Sequence, residues 1–124
     1  MATDVLGGLI IGSAIKVHRR FGPGLLESTY KTCLAYELNK NNLMTRVEPY
    51  ISVVYEDLVI ERAFKPDLIV EDKIVLELKH VEKLLAIHEA QLRTYLHLTG
   101  VKTGLLFNFN TVVLKDGIRR IDLP

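Results

Sequence analysis

Asp67, Glu77 and Lys79 are three polar residues that could meet on one face of a β-hairpin. The segment 64–80, FKPDLIVEDKIVLELKH, reads as two short strands joined by a charged turn at 71–73. Because side chains alternate between the two faces of a strand, Glu77 and Lys79 share one face of the second strand. Two carboxylates and a lysine on one face would suit a hard divalent cation, which prefers oxygen ligands. The lysine would then lie beside an anion that the cation polarises.

The length of the turn decides whether Asp67 lies on that face. With a three-residue loop, Val70 pairs with Ile74 and Asp67 lies opposite Glu77, with the two Cβ atoms about 5 Å apart. Two carboxylates at that distance repel each other unless a cation neutralises them. A two-residue loop would place Asp67 opposite Leu76 and direct the acid into an apolar layer, so we favour the three-residue loop. An ordinary solvated hairpin face with a Lys–Glu pair is the alternative interpretation.

The composition is typical of a globular protein. The chain has 124 residues, of which 48% are apolar and 25% are charged, and this length is enough to bury one core. We therefore expect one domain over residues 1–124. The net charge of +1 excludes a strong basic field over the whole surface, so binding of a nucleic acid would depend on a local patch.

The cysteine count and the N-terminal apolar run indicate in which cellular compartment the protein is expected. Cys33 is the single cysteine, which excludes an intrachain disulfide and a zinc site built from thiolates, so we expect a reducing, cytoplasmic setting. The apolar run 5–15 is too short to span a bilayer, and Asp4 precedes it where a signal peptide would carry basic residues. We therefore predict no membrane association.

Apolar periodicity and turn residues predict the elements that must position these side chains. The predicted helices cover 3–21 and 25–40, and a third helix follows residues 81–85 and ends at Gly100. Besides the hairpin, the predicted strands cover 45–54, 59–63 and 105–109, and residues 112–121 form a last strand pair or edge.

Glu27 lies on the apolar stripe of the second helix. At about 100° per residue it points the same way as Tyr30, Leu34 and Leu38. A glutamate is rarely buried without a partner. The residue is therefore either an exposed first-turn acid that complements the helix dipole, or an acid that faces a polar pocket and helps to bind a metal or its water.

Gln91 interrupts the apolar stripe of the third helix in a similar way. The residues that share its face are Leu84, Ile87, Tyr95 and Leu98. His88 lies at the flank of this face. A glutamine bonded to the backbone and a histidine with a structural hydrogen bond are the ordinary interpretations, and a functional role for this face is the alternative.

The order and spacing of these motifs resemble the PD-(D/E)xK nuclease superfamily. The residues PD at 66–67 and ELK at 77–79 resemble its signature, and GLLESTY at 24–30 resembles the signature of the GxxExxY family, which is placed within that superfamily. QLRTY at 91–95 is similar to the QxxxY helix motif of RecB-like and lambda-exonuclease-like members. The resemblance covers about residues 5–119. It implies a single α/β domain of restriction-endonuclease-like type, with a mixed central sheet of four or five strands flanked by helices.

The resemblance also implies a role for each residue of the site. Asp67, Glu77 and the backbone carbonyl of Leu78 would ligate Mg²⁺ or Mn²⁺. Glu27 would hold the metal or a metal-bound water from the helix side. Lys79 would orient the attacking water and stabilise the transition state.

Four further residues of the motifs would assist. Gln91 and Tyr95 lie one helical turn apart and would position the metal shell or the phosphate backbone. Gly24 belongs to the GxxExxY signature, and Tyr30 could support Glu27 from one turn further along the helix.

Basic residues near two segment ends are the expected phosphate contacts. These residues are Lys16, Arg19 and Arg20 at the end of the first helix, and Arg119 and Arg120 near the C-terminus. The alternative for the first group is a solvated helix end whose cations complement the dipole.

The resemblance thus implies a metal-dependent phosphodiester hydrolase that acts on DNA, with RNA as a second substrate class. A non-catalytic module that binds nucleic acid or protein on the same fold is the alternative, and the near-zero net charge mildly favours it. A small-molecule enzyme that reuses the site is a third class. A homodimer or a protein partner could help a chain of this size to grip a duplex.

Overall fold

The computed structural model describes residues 1–124 as a mixed β-sheet with helices on both faces. The helices are α1 (Thr3–Phe21), α2 (Glu27–Lys40) and α3 (Ala86–Thr99). The strands are β1 (Thr45–Val47), β2 (Ile51–Tyr55), β3 (Leu58–Phe64), β4 (Leu68–Val70), β5 (Ile74–Lys79), β6 (Thr103–Asn108) and β7 (Ile118–Asp122). The predicted α/β class is therefore confirmed. None of the three helices combines the length and the apolar character that crossing a bilayer requires.

Five strands form the main sheet, in the order β1-β4-β5-β6-β7. The neighbours β5 and β6 are parallel, and the other neighbouring pairs are antiparallel. A parallel pair needs a crossover connection, and α3 provides it between β5 and β6. Every residue of β6 and all of β5 except Lys79 are buried, as expected of strands that are covered on both faces.

Alternate residues of β5 face two separate apolar cores. Ile74, Leu76 and Leu78 lie in the larger core, together with residues of α1 and α2. Val75 lies in the smaller core under α3. Because the side chains of a strand alternate, Glu77 points to the same face as Val75, which is the α3 face.

The buried face of α3 differs from the predicted stripe. Its buried residues are Leu92 and Leu96, whereas Ile87 and Leu98 are 67% and 45% exposed. The interpretation of the face around Gln91 as a core stripe was therefore wrong. The helix packs on the sheet through the neighbouring face, which leaves Gln91 at the edge of the contact, where it reaches the end of β5.

Close packing of α3 on the sheet depends on Gly104 in β6. A Cβ atom at this position would lie 2.9 Å from the side chain of Leu92. Such a contact is too short for two carbon atoms, so the helix lies as close to β6 as a glycine allows.

The strands β2 and β3 form a separate two-stranded sheet, and most of their residues are exposed. The sequence pattern predicts one strand over 45–54, but the structure divides this segment between the two sheets. Glu48 adopts a left-handed backbone conformation with φ of 47°, and Pro49 follows it. Both features interrupt a strand, and the chain leaves the main sheet at this point.

The C-terminal segment forms one edge strand of the main sheet, which is one of the two predicted alternatives for residues 112–121. A short 3₁₀ helix covers Leu114–Gly117, and β7 then pairs with β6 alone. Gly117 comes so close to Asn108 that a Cβ atom would lie 2.7 Å from the Asn108 carbonyl oxygen. Asp116 and Gly117 therefore end the 3₁₀ helix close to β6, and no hairpin forms at this point.

Candidate active site

The loop between β4 and β5 has the predicted three residues. Val70 pairs with Ile74 and Leu68 pairs with Leu76, so the same register places Asp67 opposite Glu77. The loop residues Glu71 and Asp72 both have left-handed backbone conformations, with φ of 54° and 52°. The prediction that Asp67 and Glu77 are neighbours across the hairpin is confirmed.

The two acids are held by each other's strands. The Asp67 backbone N–H donates to Glu77 Oε1 over 2.9 Å. The Leu78 N–H donates in turn to Asp67 Oδ2 over 2.8 Å. Each carboxylate therefore has one oxygen fixed by a backbone amide, and neither Asp67 Oδ1 nor Glu77 Oε2 has a backbone donor.

Glu77 is an unusually buried acid, with an exposure of 5%. Burial, followed by the negative charge of Asp67, raises the pKa of Glu77 to about 8. A proton on Glu77 would relieve the repulsion between the two acids. A divalent cation would relieve the same repulsion by replacing that proton.

Lys79 connects the acids to α3. Its Nζ lies 4.0 Å from Glu77 Oε2 and donates to Gln91 Oε1 over 3.1 Å. Tyr95, one turn after Gln91, stacks on Phe64 with ring centroids 4.6 Å apart. Burial, followed by the charges of Glu77 and Asp67, raises the pKa of Tyr95. The helix face with Gln91 and Tyr95 therefore lies beside the acids, and its role in positioning a metal or a phosphate stays a prediction.

Glu27 is the first residue of α2 and is half-buried. Burial, followed by the charge of Asp67, raises the pKa of Glu27, whereas the charges of Lys79 and Lys31 lower it. Its carboxylate has no hydrogen bond or ion pair. Glu27 is therefore a first-turn acid that lies close enough to Asp67 and Lys79 to be affected by their charges, and its role in binding a metal or its water stays a prediction.

Tyr30 supports the loop before Glu27 and not the carboxylate itself. Its hydroxyl donates to the Gly22 carbonyl over 2.5 Å and accepts from the Leu25 N–H over 3.0 Å. Gly24, within this loop, has φ of 111°, a value that favours glycine. The motif glycine and tyrosine therefore determine together where α2 begins.

Sequence reasoning did not assign Lys31, Glu48 and His80 to the site. Lys31 pairs with Asp67 Oδ1 at 2.7 Å and with Glu48 Oε1 at 2.6 Å. His80 stacks on Tyr30, and its buried Nε2 has no hydrogen-bond partner. A signal exists for Lys31, because it lies four residues after Glu27 and so shares its helix face.

Two other predictions for polar residues concern positions away from the acids. His88 is a structural residue, as expected, because its Nδ1 accepts from the Leu85 N–H at the start of α3. None of the five basic residues forms an ion pair or hydrogen bond with the acids of the hairpin. Lys16 pairs with Glu37, and Arg120 pairs with Asp4 and Asp122.

The donor set fits a hard divalent cation, although no group of three or more His, Cys, Asp or Glu side chains is gathered closely enough to form a complete metal cage. Asp67 Oδ1 and Glu77 Oε2 are two carboxylate oxygens without a backbone donor, and a lysine lies near each of them, Lys31 at 2.7 Å and Lys79 at 4.0 Å. Carboxylate oxygens are the ligands that Mg²⁺ and Mn²⁺ prefer. Lys31 now occupies the space beside Asp67 Oδ1 that a cation would need.

A mixed sheet between helices, with a carboxylate pair and a lysine at the end of its central hairpin, defines a nuclease-like fold. The chain belongs to the PD-(D/E)XK nuclease superfamily, whose family model matches residues 4–121. Among solved structures it is similar to the crystal structure of SSO0001, with a TM-score of 0.59 and 24% identity over 79% of this chain. This likeness supports the fold alone, and the matched region is 50% of that protein. A search of curated proteins gives no significant match.

Proposed function

We propose that this protein is a nuclease that depends on Mg²⁺ or Mn²⁺ and hydrolyses phosphodiester bonds in DNA, with RNA as the alternative substrate. The observation that carries the proposal is the pair of acids, Asp67 and Glu77, held by reciprocal backbone hydrogen bonds with Lys79 beside them. An ordinary surface hairpin does not need to bury a glutamate whose pKa is raised to about 8.

The cation would be held by Asp67, Glu77 and the backbone carbonyl of Leu78, with Glu27 holding it or its water from the helix side. When bound, such a cation lowers the pKa of a water molecule and neutralises charge on a phosphate.

Lys79 would act on the phosphate group itself. Its ammonium is held by Gln91 at 3.1 Å and can donate to a phosphate oxygen or to the attacking water. The negative charge that builds up on the phosphate in the transition state is then stabilised by a fixed positive group. Gln91 is thus a positioning residue, and Tyr95 would border the nucleic acid backbone.

The proposal extends to the family, the cellular setting and the partners of this protein. The GLLESTY segment at 24–30 supports placement in the GxxExxY family. Cys33 is free and half-buried, in keeping with a reducing, cytoplasmic setting. A second copy or a protein partner would complete the grip on a duplex.

A cleavage assay tests the proposal. The full chain is incubated with plasmid DNA, single-stranded DNA and RNA, in the presence of Mg²⁺, Mn²⁺ or a chelator. We expect metal-dependent cleavage of DNA that Glu77→Gln and Lys79→Met abolish. Glu56→Gln, at the exposed turn of the β2–β3 sheet, is the matched control and should cut normally.

A non-catalytic module is the second candidate, supported by the net charge of +1. Binding of DNA without cleavage under any metal condition, unaffected by Glu77→Gln, would establish this candidate and reject the nuclease.

A further inference from the structure

Lys31 contacts a residue of the proposed metal site but has no role in the proposed function. Its side chain is 13% exposed, although lysine is rarely buried unless it is paired. The Nζ atom lies 2.7 Å from Asp67 Oδ1 and 2.6 Å from Glu48 Oε1. The ammonium group therefore bridges two carboxylates, of which one is a candidate metal ligand.

The contact involves the one oxygen of Asp67 that is free to bind a metal. Asp67 Oδ2 already accepts from the Leu78 N–H, which leaves Oδ1 as the available ligand. A divalent cation bound to Oδ1 and an ammonium 2.7 Å from the same atom would repel each other strongly. Loading of the site with a cation therefore requires Lys31 to move away from Asp67.

Glu48 is a second ion-pair partner that Lys31 can retain when it leaves Asp67. The Glu48 backbone N–H donates to the Asp67 carbonyl over 2.8 Å, which fixes Glu48 beside the acid. The left-handed backbone at Glu48 turns the chain here, and its carboxylate is 39% exposed. Lys31 can thus keep one ion pair when it releases the other.

We propose that Lys31 is a built-in competitor of the divalent cation, and that Glu48 is the acceptor onto which it withdraws. In the metal-free protein Lys31 neutralises Asp67 and keeps the hairpin acids in place. When a cation binds Asp67, Lys31 pairs with Glu48 alone. This inference rests on the proposed function, because it concerns loading of the same site.

Substitutions of Lys31 and of Glu48 should have opposite effects on the affinity for Mn²⁺. An ordinary structural ion pair would not produce this difference in sign. Lys31→Met removes the competitor and should tighten Mn²⁺ binding. Glu48→Gln removes the negative charge that attracts Lys31 away from Asp67, leaves Lys31 more firmly on Asp67, and should weaken Mn²⁺ binding. Each substitution should change the Kd for Mn²⁺ on the order of tenfold. A hydrogen bond to a charged group contributes about 1.5–3 kcal/mol, which corresponds to about one to two powers of ten in an equilibrium constant.

The experiment is a calorimetric titration of the full chain with Mn²⁺ alone, without nucleic acid. Wild type, Lys31→Met, Lys31→Gln and Glu48→Gln are compared after circular dichroism has confirmed folding. Lys65→Met is the matched control, because Lys65 also pairs with Glu48, at 3.3 Å, but not with Asp67. It should leave the Kd nearly unchanged. The melting temperature in chelator gives a second readout, which Lys31→Met should lower and added Mn²⁺ should restore.

The outcomes separate the two proposals. Tighter binding by both Lys31 variants and weaker binding by Glu48→Gln supports the competitor. Mn²⁺ binding by wild type with an equal or higher Kd in both Lys31 variants overturns the competitor and leaves the nuclease proposal intact. Binding of Mn²⁺ by the Lys31 variants alone supports the competitor in its strongest form. No binding by any variant overturns both proposals.

Discussion

The Lys79 ammonium donates to the side-chain oxygen of Gln91 over 3.1 Å, and this contact joins the end of β5 to α3. The strand β5 therefore supplies the positive charge of Lys79, and α3 fixes the position of its ammonium group through Gln91.

Gln91→Leu should lower turnover about tenfold and change stability little, because a single hydrogen bond contributes only about 1 kcal/mol. Gln91→Glu keeps an acceptor for Lys79 and should retain more activity. The measurement is kcat and KM for a DNA substrate together with the melting temperature. Equal losses in the two variants would show that Gln91 acts in some way other than through Lys79.

Glu27→Gln should strongly reduce metal-dependent turnover, by about 10²–10⁴-fold, because it removes the charge directed at the hairpin but keeps the size of the side chain. Its melting temperature should hardly change, since the carboxylate has no bonded partner to lose. Wild type and variant are compared in one Mn²⁺-supplemented assay. If Glu27 were only a first-turn acid, turnover would stay equal.

Metal-free stability should fall as the pH rises from about 4.5 to about 8. The folded-state pKa of Glu77 is about 8 against an ordinary value of 4.5, so in this window the folded protein holds a proton that the unfolded chain has released. The slope approaches about 1.4 kcal/mol per pH unit at most. Urea unfolding in chelator at several pH values measures it.

Glu77→Gln is the control for this pH dependence. The amide cannot titrate, so the variant should lose most of the slope and become relatively more stable at the alkaline end. An unchanged slope would assign the pH dependence to other groups.

Arg19 and Arg20 should contribute more to nucleic-acid binding than Arg120. The guanidinium of Arg120 is already paired with Asp4 and Asp122, whereas the two arginines of α1 have no acidic partner. Replacing both with Gln should weaken binding similarly for all sequences and reduce the salt slope by about two. Arg120→Gln should change the slope less. Binding is measured by fluorescence anisotropy at increasing salt concentrations.

The parts of the site that depend on local sequence could be predicted. The register that places Asp67 opposite Glu77 follows from strand alternation and a three-residue turn within one short segment. The side of α2 that carries Glu27 follows from helical periodicity. Both patterns use contacts between residues that are close along the chain, and for this reason they were confirmed.

The parts that depend on distant pairing could not be predicted. Glu48 reaches Lys31 only because β1 pairs with β4 and the chain then turns sharply at Glu48. Glu48 has a left-handed backbone conformation, which a sequence usually signals with a glycine, and no glycine stands there. The core face of α3 likewise depends on where Leu92 meets Gly104 in β6. Periodicity shows which residues share a face, but it does not show which face the sheet covers.

The contact of Leu92 with Gly104 connects the smaller apolar core to the helix turn that carries Gln91. Leu92 is the residue next to Gln91, so a methyl group added at Gly104 would push outward the helix turn that holds Lys79 in position. Gly104→Ala should therefore impair turnover without touching any residue of the site, an effect to be measured as kcat in folded protein. Substitutions at a fully enclosed glycine would then be selected against for their effect on reaction rate as well as for their effect on folding.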